Sequence, residues 1–174
     1  KPRKDIAKWS DVMENIEYMY DESFNSQLHK DEYQVINDKE DIKKILKLYI
    51  EKYYDANDDK QTWFNKIKEL AGEMGYAKEV KEFKANPGVY KAHVGDVSTV
   101  IRIALTKRTN TPDMYEIMKV LGKDRVISRL NNEIVLFFFN EKVRQNFRPE
   151  FLNRLDDIVF FQPLTINQLS SVIH

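Results

Sequence analysis

From Asp96 to Gly122 the sequence reads DVSTVIRIALTKRTNTPDMYEIMKVLG, and this segment sets the expected architecture. Its apolar residues recur at intervals of three and four residues, which predicts two amphipathic helices separated by a short polar linker. Asp96 is predicted to cap the first helix. Thr111 is predicted to cap the second, with Pro112 at the first helical position, where a missing N–H costs nothing. Gly122 is a natural helix end.

The same periodicity extends outward from this segment in both directions. Mixed polar residues at 21–40 predict a loop, and Asn86-Pro87-Gly88 predicts a turn. The one convincing strand pattern is Ile158–Phe161. The chain is therefore expected to be mainly all-α, with a short strand-containing tail. Further helices are predicted by apolar stripes over Asp11–Tyr20, Asp41–Tyr53, Trp63–Met74 and Asp124–Ile134.

Composition excludes several classes of protein. The 174 residues are 42% hydrophobic, enough for a core, and 28 basic residues balance 28 acidic ones, so bulk charge does not hold this chain to nucleic acid. Without cysteine there is no disulfide scaffold and no thiolate zinc site, which fits a reducing, cytoplasmic location. Three scattered histidines predict no metal site, no cofactor is expected, and no apolar run is long enough to span a membrane.

Net neutrality conceals one locally basic region. No acidic residue occurs from Val97 to Pro112, whereas Arg102, Lys107 and Arg108 all lie there. An anionic partner responds to the local field, so this region is the expected binding face for such a partner.

Two sequence runs carry a family resemblance. They are YKAHVGDVSTVIRIALT, from Tyr90 to Thr106, and RTNTPDMYEIMKVLGKDRV, from Arg108 to Val126. Together with the opening KPRKDIAKWSDV, they resemble the C-terminal anticodon-binding region of bacterial glutamyl-tRNA synthetases, over about residues 1–135. The resemblance implies an all-helical cage that grips the anticodon loop of tRNA(Glu). Because the chain has no HIGH-like or KMSKS-like signature, ATP-dependent ligation is expected only of a parent glutamate–tRNA ligase.

The resemblance also implies which residues contact RNA. Arg102, Thr111, Pro112 and Met114 fall where family members contact anticodon bases, and Met114 stands where leucine is commoner. Unpaired bases can be stacked and hydrogen-bonded on their edges, while lysine and arginine supply phosphate contacts. The predicted RNA-binding residues are therefore Arg102, Lys107, Arg108, Thr111, Pro112 and Met114.

Each candidate also has a purely structural interpretation. Arg102 on a mostly apolar helix suits a structural salt bridge equally well, and Thr111-Pro112 is a good capping pair by itself. Lys107 and Arg108 suit a solvated linker. His93 is expected to be a hydrogen-bonded structural histidine rather than a catalyst. The aromatic residues Trp9, Trp63, Tyr53 and Tyr54 are expected in the core or at its edge.

The last part of the chain has a different composition. Seven of the ten phenylalanines lie between Phe137 and Phe161, which places a boundary near residues 131–140 and predicts domains at 1–135 and 136–174. The run VRQNFRPEFLNRLDD, from Val143 to Asp157, resembles a segment of the second AAA+ module of Clp-type chaperones. The resemblance places the arginine finger of that family at Arg154, which is expected to be inactive here because the sequence contains no Walker motif.

The favoured hypothesis is a non-catalytic, tRNA-binding domain of a glutamyl-tRNA synthetase. Two alternatives come from other classes: a fragment of a Clp-type ATP-dependent chaperone, and a helical protein-interaction module that no longer binds RNA. The apolar residues of the 141–174 tail also predict possible self-association.

Overall fold

The computed structural model describes residue 12 and residues 16–26, 33–36 and 38–146. The chain divides into two units, Lys1–Phe138 and Phe139–His174. Within the described residues the first unit is helical, which confirms the expected mainly all-α class. The only β-type contact there is one isolated bridge between Ala77 and His93. The strand predicted at Ile158–Phe161 lies outside the described residues.

Seven α-helices occur in the described part of the chain. A 3₁₀ turn at Glu17–Met19 precedes the first of them, and a π-helical turn at Tyr49–Tyr53 continues the second. The helices are α1 Asp21–Ser26, α2 Lys39–Leu48, α3 Lys60–Glu73, α4 Val80–Ala85, α5 Val94–Thr106, α6 Met114–Leu121 and α7 Lys123–Asn146.

Helix α5 is the centre of the core. Eight of its 13 residues are buried, including Val97, Ile101 and Leu105. Such a helix needs apolar neighbours on more than one side, and buried residues from all the other helices except α4 provide them. Its buried residues join a single apolar cluster that also contains Leu46 of α2 and Leu70 of α3.

Helix α2 shows how one apolar stripe is accommodated. Asp38 caps it by accepting a hydrogen bond from the backbone N–H of Glu40, 2.9 Å away. At its end the N–H of Tyr54 bonds to the carbonyl of Tyr49 at 2.7 Å, the five-residue spacing of a π turn. The wider turn leaves both Tyr49 and Tyr53 buried.

Several helix boundaries differ from the expectations. Helix α5 begins at Val94 rather than after Asp96, because His93 is the N-cap and its Nδ1 accepts from the backbone N–H groups of Gly95 and Asp96. This confirms His93 as a hydrogen-bonded structural residue. Helix α6 begins at Met114, because Asp113 rather than Thr111 is its cap.

Two short helices were not predicted, and one helix is longer than predicted. Residues 21–26 form α1 instead of a loop, and Val80–Ala85 forms α4. Helix α7 continues to Asn146, beyond the expected end at Ile134. The predicted turn at Asn86-Pro87-Gly88 is present, and Gly88 has a positive φ of 85° there.

Candidate nucleic-acid interface

The candidate interface is the connection between α5 and α6, residues 107–113, together with Arg102 on α5. Arg102 lies about one turn before the end of α5, so its side chain can reach this connection. Its Nη1 donates a hydrogen bond to the carbonyl of Thr109 at 3.4 Å. The structure therefore brings the predicted base-contacting arginine to the predicted linker.

Arg102 has unused hydrogen-bonding capacity. Its Nε is buried and has no hydrogen-bond partner. Within the described residues no carboxylate lies within 4.0 Å of its guanidinium, so the alternative of a structural salt bridge finds no partner there. Burial lowers the pKa of Arg102, and the charge of Asp113 partly opposes this effect. Arg102 is therefore a half-buried donor held by one long hydrogen bond.

Lys107 has a very different environment. Its ammonium lies 2.7 Å from Oε2 of Glu133, and the exposed fractions of the two side chains are only 12% and 2%. The same ammonium lies 5.0 Å from the centre of the Phe24 ring. Its backbone is left-handed, with φ 56°, which is uncommon for a residue with a Cβ. These contacts give Lys107 a structural role, and its predicted RNA contact stays a prediction.

Glu133 is a buried acceptor that interacts with both Lys107 and Tyr33. It is 1% exposed and accepts a hydrogen bond from the Tyr33 hydroxyl at 2.7 Å, in addition to the ion pair with Lys107. Burial first, and the charge of Glu133 second, raise the pKa of Tyr33 well above its ordinary value. Tyr33 therefore keeps its proton and acts as a hydrogen-bond donor. The buried carboxylate of Glu133 thus has partners that compensate for its loss of hydration.

Arg108 also has a partner inside the domain. Its Nη2 lies 2.8 Å from Oε1 of Glu17, and its guanidinium carbon lies 5.7 Å from the centre of the Tyr18 ring. The side chains of Arg108 and Glu17 remain 29% and 39% exposed. Arg108 can therefore still meet a phosphate at the surface, in competition with Glu17.

The second half of the connection is exposed. The Thr111 hydroxyl donates to the carbonyl of Pro112 at 3.1 Å, and Pro112 itself is exposed. Asp113 caps α6 by accepting from the N–H of Tyr115 at 3.0 Å. Its carboxylate also pairs with Lys60 of α3. Thr111 and Pro112 thus lie at a surface position where a partner can reach them.

Met114 lies in the core, with 3% of its surface exposed. It belongs to the apolar cluster that α5 and α6 share. This burial speaks against a direct base contact, because Met114 would have to leave the core to make one. Its predicted contact with RNA remains untested.

Asp113 of the candidate interface and its partner Lys60 were not predicted from sequence. The signal for Asp113 was present, since aspartate directly before an apolar run is a good N-cap. No local signal identified Lys60, which lies 53 residues away from its partner. Arg154, the predicted arginine-finger position, lies outside the described residues.

Two other kinds of feature are absent from the part of the chain that the structure describes. No group of three histidine, cysteine or acidic residues that could hold a metal ion occurs among the residues described. Across the same ranges, none of the helices has the length and apolar character needed to cross a membrane.

A second group of relatives matches only a short stretch of the chain. Chaperone protein ClpB of Tropheryma whipplei is 50% identical over 36 residues, which is 21% of the chain and 5% of that protein. This likeness is short, and it supports only a local similarity between the two sequences. No solved structure matches the chain.

Residues 3–134 match the model of the family described as the anticodon binding domain. The glutamate–tRNA ligase of Acetivibrio thermocellus is 48% identical over 130 residues, or 75% of the chain and 23% of that protein. That of Clostridium perfringens is 45% identical over 137 residues, or 78% of the chain and 25% of that protein. The chain spans about a quarter of the length of these relatives. The chain belongs to the anticodon-binding domain family.

Proposed function

We propose that residues 1–135 are the anticodon-binding domain of a glutamate–tRNA ligase and that they hold the anticodon loop of tRNA(Glu). The names of the relatives support this assignment, as does the family match over residues 3–134. Ligation itself, with its use of ATP and glutamate, belongs in this proposal to the remainder of a longer enzyme. The role of this domain is recognition.

The position of Arg102 is the observation that carries the proposal. Its guanidinium lies beside an exposed backbone connection, makes one long hydrogen bond to the carbonyl of Thr109 and has no carboxylate within 4.0 Å among the described residues. A planar, always-charged donor of this kind suits the edge of an unpaired base. Anticodon bases are unpaired, so their edges are available to it.

The surrounding cations supply the phosphate part of the proposed interface. Arg108 and Lys60 are partly or fully exposed, and each is paired to a carboxylate at the protein surface. Pairs of this kind are weak, so an RNA phosphate can replace the carboxylate. Such contacts release counterions and make binding depend on salt.

The test is a filter-binding assay of the chain with tRNA(Glu) and with a tRNA carrying another anticodon, at about 50 mM and 200 mM salt. We expect tighter binding to tRNA(Glu), an affinity that falls as salt rises, and no aminoacylation by the chain alone. Equal affinity for both tRNAs would contradict anticodon recognition. Binding that is absent at low salt would contradict the proposal as a whole.

We propose further that residues 136–174 form a separate segment of the Clp type that performs no ATP chemistry in this chain. The 36-residue likeness to ClpB supports its origin. Its phenylalanines favour burial, each worth about 1.5–3 kcal/mol, so contact between two copies of the chain is proposed through residues 141–174. The test is truncation after Asn140, with the mass in solution measured for both forms. An unchanged monomeric mass, or ATP hydrolysis that Arg154→Ala abolishes, would contradict this proposal.

A further inference from the structure

A cleft of about 130 Å³ lies between α3, α6 and the loop that follows the π turn. None of the six predicted RNA-binding residues lines it. Three of its ten lining residues are aromatic, namely Tyr54, Trp63 and Tyr115, and Lys119 lies beside them. It therefore differs in chemistry from the connection that holds Arg102.

The aromatic walls are held firmly. The centres of the Trp63 and Tyr115 rings lie 6.1 Å apart at an angle of 49°. Trp63 Nε1 donates to the Tyr49 hydroxyl at 3.0 Å, and the Tyr115 hydroxyl donates to the carbonyl of Asp58 at 2.9 Å. With the polar atoms of Trp63 and Tyr115 already bonded inside the protein, their rings provide a preformed apolar surface for a flat ligand.

Four of the lining residues are charged, and one of them, Asp58, is already paired with Lys66 at 2.6 Å. Lys119 donates to the carbonyl of Ala56 at 2.8 Å and lies 5.5 Å from the centre of the Tyr115 ring. Among the described residues the Tyr54 hydroxyl makes no hydrogen bond, although its ring lies against Tyr49 with centres 5.6 Å apart. Lys123 and Asp55 are exposed at the rim. A ligand would find one unoccupied donor, one bonded ammonium and a rim of mixed charge.

We propose that this cleft binds the single ring of an unpaired pyrimidine nucleotide. An apolar cavity of about 150 Å³ accommodates benzene, so a volume of about 130 Å³ matches a single ring better than a fused purine. Stacking on aromatic side chains holds bases of any sequence, and the match in size favours the smaller bases here. The Tyr54 hydroxyl is placed to donate to a ring carbonyl oxygen, which both pyrimidine bases of RNA carry.

The location of the cleft connects it to the proposed function, on which this inference rests. Helix α6 has Asp113 at its cap and Tyr115 in its first turn, so the cleft, which extends along α6 from Tyr115 to Gly122, begins beside the exposed connection. An RNA loop that contacts Arg102 and Thr111 would then have a neighbouring base within reach of the cleft.

Trp63 makes the proposal directly testable. The chain has two tryptophans, so Trp9→Phe leaves Trp63 as the only indole reporter. We expect UMP and CMP to quench its fluorescence saturably, and AMP to do so at least about tenfold more weakly, the loss of one stacked base. Equal binding of AMP and UMP would overturn the size argument, and no response to any nucleotide would overturn the site.

Two variants and one control assign the effect to the cleft. Ala56→Leu, which adds bulk at the lining, is expected to weaken UMP binding at least about tenfold, and Tyr54→Phe about threefold through one lost hydrogen bond. Tyr20→Phe, which removes an exposed hydroxyl outside the cleft, should change nothing. Thermal melting shows whether the Ala56→Leu variant folds. If that variant does not fold, Tyr54→Phe alone tests the site. Unchanged UMP binding in a folded Ala56→Leu or in Tyr54→Phe would overturn the proposal.

Binding of tRNA(Glu) separates this inference from the proposed function. If the unaltered chain binds no tRNA, the proposed function fails while the mononucleotide titration still decides the site. If it binds tRNA(Glu) and a folded Ala56→Leu binds equally well, the cleft takes no base from the RNA and the inference is overturned.

Discussion

The two halves of the connection between α5 and α6 differ in how deeply their charged residues are buried. In the first half Lys107 is drawn inward and forms a buried ion pair with Glu133. In the second half Asp113 lies at the surface and shares a pair with Lys60, whose side chain is 58% exposed. A buried pair is costly to break, because it leaves one charge without solvent or partner, whereas an exposed pair contributes little. The first half therefore fixes the backbone, and the second half is available for binding.

The largest loss of stability is expected when the buried ion pair between Lys107 and Glu133 is broken. Glu133→Gln keeps an acceptor for Tyr33 but removes the carboxylate charge that lies 2.7 Å from the ammonium of Lys107, so the free energy of unfolding should fall by about 3–5 kcal/mol. Urea denaturation measures this change. The matched control is Glu51→Gln, whose partner Lys47 lies 4.0 Å away at the surface and where the change should be about 0–1 kcal/mol.

A double variant sharpens this expectation. Replacing both Lys107 and Glu133 by methionine removes the two charges together, and such replacements are often neutral or stabilising. The double variant should therefore be more stable than Glu133→Gln. If the two are equally unstable, the loss comes from packing or from Tyr33 rather than from the lost attraction between Lys107 and Glu133.

The next effect concerns binding through Arg102, which reaches the exposed half. Arg102→Ala should weaken binding to tRNA(Glu) by about 1–3 kcal/mol and reduce the preference for its anticodon. Filter binding with matched and altered anticodons measures both. Lys44→Ala, an exposed cation on α2, is the control and should leave the preference unchanged.

Two other results would give Arg102 a different role. Equal loss of affinity for every anticodon would make Arg102 a phosphate contact. A large loss of stability in Arg102→Ala would make it structural.

A smaller effect tests the cap in the second half. Asp113→Ala removes the acceptor for the N–H of Tyr115 and should cost about 1 kcal/mol of stability. Asp113→Asn keeps the cap and should cost less. Thr111→Val should change the free energy of unfolding by less than about 0.5 kcal/mol, because Thr111 does not cap α6. A larger effect of Thr111→Val than of Asp113→Ala would restore Thr111 as the cap.

The smallest effect is a dependence on pH. The hydrogen bond from Lys60, more than any other contact, lowers the pKa of Asp113 below its ordinary value of 3.8. Its stabilisation is therefore complete above that value and is lost as the pH falls through the lowered pKa. The stability difference between the unaltered chain and Asp113→Asn should stay below about 1 kcal/mol at neutral pH and vanish in acid. A difference that grows in acid would show the opposite shift.

The apolar stripes predicted the long helices because a helix that buries one face needs apolar residues at regular short intervals in the sequence. The stripe over Asp41–Tyr53 became α2 and its π turn, and Trp63 and Tyr53 lie in the core as expected, with exposed fractions of 8% and 6%. By contrast, α4 buries none of its residues, so its sequence has no apolar stripe from which a helix could be predicted.

The details of the interface depended on contacts between distant residues. Asp113 and Thr111 are both good caps, and the geometry that favours Asp113 includes a lysine on α3. The burial of Lys107 depends on Glu133, 26 residues later, and no local pattern distinguishes it from a solvated linker residue. Arg102 lies on the predicted helix, and its hydrogen bond to the carbonyl of Thr109 was not predicted. Its contact with RNA stays a prediction.

The π turn at Tyr49–Tyr53 also has a consequence for comparing the lengths of related sequences. A five-residue hydrogen-bond spacing accommodates one residue more than an ordinary turn, as a single insertion in a helix does. Deleting one residue there would restore the regular helix but rotate the following side chains by about 100°. Tyr54 would then leave the wall of the cleft. Relatives one residue shorter at this point should keep the helix and lose that wall, so a length difference in an alignment would mark which members share the cleft.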